Sequence, residues 1–190
     1  MINLPDVTLI SIDTTGDIGG TLKAIYTCIR GINFGDVKLI TTQDKIDSNP
    51  NLVKDGITMQ TPVRDIKNYN GYNYYVIYHL HEHIDTSHCL ICQPDGFVLF
   101  PEKWDDKWLE YDYIGAPWRW EPDSFIDPFG NHQRVGNGGF SLRSKKFLEV
   151  PTKVEVPWET NYSDFYWMPE GVVNYHEDDT PHNNCNHYSF

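Results

Sequence analysis

Asp95 stands in the turn Gln93-Pro94-Asp95-Gly96, between the apolar runs Cys89-Leu-Ile-Cys92 and Phe97-Val-Leu-Phe100. A carboxylate at a strand end facing a pocket is the oxygen ligand that a hard divalent cation takes. Gly96 lets the backbone bend or a ligand approach closely. The same position suits a turn aspartate bonding its own backbone, and both readings stand at this level. Gly136-Asn-Gly-Gly139 can aim backbone amides at an oxygen-rich ligand or simply make a tight turn. It lacks the Lys-Ser/Thr of a P-loop and the spacing of a dinucleotide fingerprint. His176-Glu177-Asp178-Asp179 offers carboxylates for general-base work, with a solvated helix start as the plainer alternative.

The remaining candidates are weaker. His79, His81 and His83 surround Glu82 without making H-E-x-x-H, and an exposed helix face is expected for them. His182, Cys185 and His187 have spacings that zinc accepts, but no second pair closes a tetrahedral site. Cys89 and Cys92 are three apart on an expected strand and should face opposite ways.

The elements that must position these residues read as alternating strand and helix over the first 85 residues. Val7–Ile12 is a short β-branched strand ending in the polar loop Asp13-Thr-Thr-Gly-Asp17. Leu22, Ile25, Tyr26 and Ile29 recur at helical spacing, with Gly31 as a stop. Val37–Thr41 and Ile57–Met59 are further strands, and Tyr69–Ile84 is helical with Tyr74, Ile77, Tyr78 and His81 on one side. This order predicts a parallel β/α sheet with ligands beyond the carboxyl ends of its strands, which puts the Asp13 loop at the site. A short helix at Glu102–Leu109, a strand at Tyr111–Gly115, a long loop at Trp118–Gln133 and a helix at Ser144–Glu149 follow. The final 40 residues carry no clear apolar period.

At 190 residues, 39% apolar and 22% charged, the chain suits one folded domain. Its formal charge of −12 repels a nucleic-acid backbone, and Arg143 with Lys145 and Lys146 is a meagre basic patch. No stretch approaches the ~20 apolar residues of a membrane helix. The N-terminus lacks the basic and apolar regions of a signal peptide, and the four cysteines are too scattered for a disulfide scaffold. A cytoplasmic location is therefore expected. Aromatic residues reach 14%, and all six tryptophans lie at or after Trp104, which suits a surface that stacks on flat ligands as well as an aromatic core.

Three blocks carry more together than apart: Gln93-Pro-Asp-Gly-Phe-Val98, Tyr111-Asp-Tyr-Ile-Gly-Ala-Pro-Trp118 and Val135-Gly-Asn-Gly-Gly-Phe-Ser-Leu-Arg-Ser144. In this order they resemble a domain-of-unknown-function family of glycosyltransferase-like proteins with a GT-A-like fold, from Leu4 to about Asp179. The resemblance implies a minimal α/β, Rossmann-like single domain over residues 1–190 with a mostly parallel sheet. Residues 1–100 would form the nucleotide-binding half and 101–190 the acceptor-binding half. It implies transfer of a sugar from a nucleotide-sugar donor, expected to be a UDP-sugar, to a glycan or other hydroxyl acceptor, with inversion. A non-catalytic nucleotide-sugar or glycan-binding module is the alternative. Asp95 matches the last acid of the D-x-D motif that holds Mn²⁺ or Mg²⁺, with Gln93 in the partner position. His187, then His182, match a late metal-binding histidine. Asp13 and Thr14 fall where the nucleoside is contacted, and Gly138, Gly139 and Phe140 fall beside the transferred sugar. Arg143 is the cation nearest to share the phosphate charge. Glu177-Asp178 matches the E-D pair whose second acid is the base, with Asp179 one position on.

Overall fold

β1 (Ile2–Ile12) is rich in β-branched and leucine side chains, and Val7, Leu9 and Ile10 are fully buried on its two faces. A strand covered on both faces belongs at the centre of a parallel sheet. In the computed structural model, which describes residues 1–117, 126, 130–132, 136 and 138–154, β1 is that central strand. α1 (Gly19–Gly31), β2 (Ile32–Ile40), α2 (Gln43–Ser48), β3 (Thr58–Gln60), α3 (Tyr69–Tyr78) and β4 (His88–Ile91) follow. β5 (Tyr113–Gly115), β6 (Ser141–Ser144) and α4 (Lys145–Lys153) complete the described elements.

The sheet order is β3-β2-β1-β4-β6-β5. The first four strands are parallel, and β6 runs antiparallel to both β4 and β5. The fold is therefore α/β with a mainly parallel sheet, as expected. α1 covers one face through Ile18, Ile25 and Cys28, packed with Val7, Leu9, Leu39, Leu90 and Leu142. α3 and α4 cover the other through Tyr75, Val76 and Leu148, packed with Ile10, Ile40, Cys89 and Ile91. Burying each large aliphatic side chain contributes about 1.5–3 kcal/mol relative to exposure, so these two layers hold the helices against the faces of the sheet. Cys89 and Cys92 fall in opposite layers, as their spacing requires. No helix among the described residues is long and apolar enough to cross a membrane.

Several elements differ from the sequence reading. β1 and β2 begin five residues earlier than expected, across a register shift between Leu4 and Thr8. The expected Glu102–Leu109 helix is two 3-10 turns, Pro101–Lys103 and Asp106–Glu110. Ser141–Ser144, read only as the end of a glycine block, is a fully buried strand. α3 stops at Tyr78 and turns its Tyr75–Val76 side inward, because Tyr75 reaches a buried partner in the 3-10 turn Leu80–His83.

That partner corrects the expectation for the histidines. His83 is buried at 7% exposure rather than on an open helix face. Its Nδ1 lies 2.8 Å from Gln60 Oε1, which can only accept, so Nδ1 carries the proton. Its Nε2 then accepts from the Tyr75 hydroxyl at 2.6 Å, and that hydroxyl accepts from the Val63 amide at 3.2 Å. Below it, buried Lys38 donates to the His83 carbonyl at 2.7 Å and pairs with Asp85 at 2.9 Å and Asp36 at 3.2 Å. Burial opposes the Lys38 charge, but the bonds to Asp85 and Asp36 outweigh it and raise its pKa.

Burial, and then the Lys38 charge, hold the His83 pKa below its ordinary value. Glu82 and Asp85 oppose this effect, and His79 adds to it. The unfolded chain thus takes up a proton near pH ~6.5 that the folded chain refuses, so stability is full above that pH and falls below it. The melting temperature should drop between about pH 7 and pH 5, and His83→Gln should flatten that slope. A wild-type slope that survives the substitution assigns the effect to another group.

Candidate functional site

Parallel strands bring their carboxyl ends to one edge, and the antiparallel β6 brings its amino end there. β1 delivers Asp13, whose amide continues the ladder to the Ile40 carbonyl at 2.9 Å. β4 delivers Cys92, whose amide bonds the Ile10 carbonyl at 3.0 Å, and then Gln93. Ser141 opens β6 opposite Ile91 and Gly115, so Gly138, Gly139 and Phe140 arrive at the same edge. Here the neighbours of β1 on either side, β2 and β4, are wound in opposite directions, and open α/β sheets bind ligands at such a switch.

The Asp13 loop is held by its own chain. Asp13 Oδ2 accepts from Thr21 Oγ1 at 2.6 Å, and Oδ1 accepts from the Thr15 amide at 3.2 Å and hydroxyl at 3.3 Å. Thr41 Oγ1 donates to the Asp13 carbonyl at 2.7 Å, and Thr14 Oγ1 donates to the Ile66 carbonyl at 3.2 Å. Lys45 Nζ donates to the Thr15 carbonyl. With its carboxylate engaged three times, Asp13 rigidifies the loop.

Gln93–Gly96 is closed by two backbone bonds, Gln93 N to Gly96 O at 2.9 Å and Gly96 N to Gln93 O at 3.0 Å. Pro94 and Gly96 occupy the positions such a four-residue turn favours. The turn projects Asp95 into solvent, since Phe97–Phe100 forms no strand to bury it. The apolar runs on either side therefore do not bury it. Gln93 Nε2 donates to the Tyr72 hydroxyl at 2.9 Å, which leaves Oε1 as the free acceptor of that amide. An exposed carboxylate and an amide oxygen two residues apart suit a hard cation, which takes oxygen ligands of both kinds. Among the described residues no three His, Cys, Asp or Glu side chains gather into one ligand set.

The two turns touch. A Cβ on Gly96 would stand 2.8 Å from Phe140 Cβ, and one on Gly138 would stand 2.9 Å from Arg143 Nη2. Gly96→Ala must push the Asp95 turn off Phe140, an overpacking that costs about 1–3 kcal/mol. A thermal melt should show that loss, and a variant as stable as wild type would mean that the two turns move independently.

Arg143 is 7% exposed beneath the glycine turn. Its Nε donates to Ser141 Oγ at 3.1 Å, Nη2 reaches the Gly138 carbonyl at 3.5 Å, and the guanidinium lies 5.1 Å from the Tyr113 ring centre. The structure thus assembles Asp13, Thr14, Gln93, Asp95, Gly138, Gly139, Phe140 and Arg143 around one edge. Glu177, Asp178, Asp179, His182 and His187 lie outside the described residues. Thr21, Tyr72 and Tyr113 join the site without a local sequence signal, because each is recruited by a contact distant in the chain or by pairing across the sheet.

A family model described as a protein of unknown function (DUF5672) matches residues 57–185. The chain belongs to this family. The DUF5672 match takes in β3, the Asp95 turn, the glycine turn and β6, and it begins at residue 57, whereas the GT-A-like resemblance runs from Leu4. No curated protein matches the chain. Among solved structures, 4-diphosphocytidyl-2C-methyl-D-erythritol synthase from Anaerococcus prevotii DSM 20548 is similar at 9% identity and a TM-score of 0.49. That likeness covers 84% of this chain and 82% of the other.

Proposed function

We propose that this DUF5672 chain is a metal-dependent glycosyltransferase that moves a sugar from a nucleotide-sugar donor, a UDP-sugar, to an acceptor hydroxyl with inversion. The observation that carries the reading is the meeting of the Asp13 loop, the exposed Asp95 turn and the Gly138–Phe140 turn at one edge of the sheet. The Asp13–Thr14 loop borders the nucleoside, and the glycine turn borders the sugar. Asp95, with Gln93 Oε1, would hold Mn²⁺ or Mg²⁺. When bound, the ion neutralises charge on the departing diphosphate. The acceptor oxygen attacks the anomeric carbon from the face opposite the leaving group while a carboxylate, Asp178 or Asp179, takes its proton. Glu177 belongs to the same acidic cluster, and His187 or His182 would add a metal ligand.

Incubation with a panel of nucleotide sugars and Mn²⁺, read as released nucleotide, tests the proposal. Turnover that EDTA abolishes and Mn²⁺ restores supports it. A thermal shift with nucleotide sugars but no turnover across acceptors supports the binding-module alternative, to which the single acid of the Gln93–Gly96 turn lends weight. Neither response overturns both.

A further inference from the structure

No carboxylate among the described residues forms an ion pair with the Arg143 guanidinium. A guanidinium stays protonated in a protein and presents five donors. Among the described residues it meets only neutral groups: Ser141 Oγ, the Gly138 carbonyl at 3.5 Å and the face of the Tyr113 ring. Among the described residues the cationic partners in ion pairs are Lys38, Lys67, His79 and Lys153, and no carboxylate pairs with Arg143. A buried charge is costly unless something opposite in sign meets it.

The usual place for an anion at this edge is already taken. In Rossmann-like sheets a phosphate sits on the amino end of the first helix. Here Asp17 Oδ1 accepts the Gly19 amide of α1 at 3.0 Å, and Asp13 Oδ2 holds Thr21 in its first turn. Two carboxylates of the chain itself occupy that end and repel an incoming anion. Among the described residues the same edge keeps a buried cation without a carboxylate partner, Arg143, on β6 under a glycine whose missing Cβ leaves the guanidinium its space.

We propose that Arg143 is the phosphate receptor of this edge, and that the phosphoryl group of the bound ligand is its counter-ion. The group is carried either by free inorganic diphosphate or by a nucleoside diphosphate. The nucleoside part rests on the reading given under Proposed function, whereas the receptor role does not. Glycine at 138 then serves recognition by leaving Arg143 room, and a Gly138→Ala side chain displaces the guanidinium.

Calorimetric titration of the full chain with inorganic diphosphate, UDP and uridine tests this in wild type, Arg143→Lys and Arg143→Gln. Wild type should bind diphosphate and UDP, and Arg143→Gln should lose roughly 10–100-fold toward both, the range for a hydrogen bond to a charged group. Arg143→Lys should recover part of the loss, since it restores charge without the planar fork. Affinity for uridine should not change. Diphosphate binding that depends on Arg143, with no binding of UDP or uridine, keeps the receptor and sinks the nucleotide reading. Diphosphate binding equal in wild type and Arg143→Gln overturns the receptor, as does no diphosphate binding by wild type. Should Arg143→Gln fail to fold, the Arg143 Nε–H resonance of wild type, identified by its loss in Arg143→Lys, replaces it. That resonance should shift as diphosphate is added, and an unmoved resonance overturns the proposal.

Discussion

Asp95→Asn should weaken Mn²⁺-dependent UDP binding by about 100-fold or more, because altering groups one shell further out already costs 10–100-fold in metal affinity. The substitution keeps the shape of the side chain and removes the charge that makes it a strong ligand for a hard cation. It should also leave the fold alone. Asp95 is exposed, and the Gln93–Gly96 turn is closed by its backbone, so a change within about 0.5 kcal/mol is expected. Binding without metal should be the same in wild type and variant, because the variant loses only what the ion adds. Gln93→Ala should cost less, since an amide oxygen is the weaker ligand, though it also frees the Tyr72 hydroxyl. Titrations of UDP with Mn²⁺ and with EDTA measure the binding changes in wild type and both variants, and a thermal melt measures the stability. Unchanged Mn²⁺ dependence in Asp95→Asn would remove Asp95 from the metal site and leave its turn a connection between strand and glycine turn.

The contrast between Asp95 and Arg143 shows what a sequence exposes and what it hides. The β/α order of the first 85 residues is legible because buried parallel strands read as unbroken apolar runs, as Val7–Ile12 does. The carboxyl edge follows from that order, so the sequence puts the Asp13 loop and the Asp95 turn at that edge, where the structure has them. β6 could not be found this way. Its residues Ser141-Leu-Arg-Ser144 are all buried, yet three of the four are polar, and only pairing with β4 and β5 makes them a strand. The burial of Arg143 depends on that pairing. His83 fails for a related reason. Three histidines around a glutamate suggest a solvated face, and only the fold brings Tyr75 and Gln60 to either side of one ring. At Asp95 the apolar neighbours leave the carboxylate exposed, because no second strand forms after the turn.

The acidic cluster at Glu177–Asp179 yields the second large effect. A hydroxyl attacking an anomeric carbon must lose its proton as the bond forms, and loss of the accepting base costs roughly 10²–10⁴-fold in rate. Asp178→Asn or Asp179→Asn should show that loss in nucleotide release with acceptor present, while donor binding stays near the wild-type value. The split between rate and binding matters, because a variant that merely unfolds the site would lose both. Glu177→Gln should be milder, since the resemblance assigns the base to the second acid of the pair. Inversion needs one carboxylate on the acceptor side. Retention by double displacement needs a nucleophilic carboxylate beside the anomeric carbon, by analogy with glycoside hydrolysis. At the described edge Asp13 is occupied by Thr15 and Thr21, and under the proposed function Asp95 holds the metal, which leaves neither for that attack. The product should therefore carry the anomeric configuration opposite to the donor's, which the anomeric proton coupling in an NMR spectrum reports. A retained configuration would sink the inverting mechanism, and full activity in both asparagine variants would take the base out of this cluster.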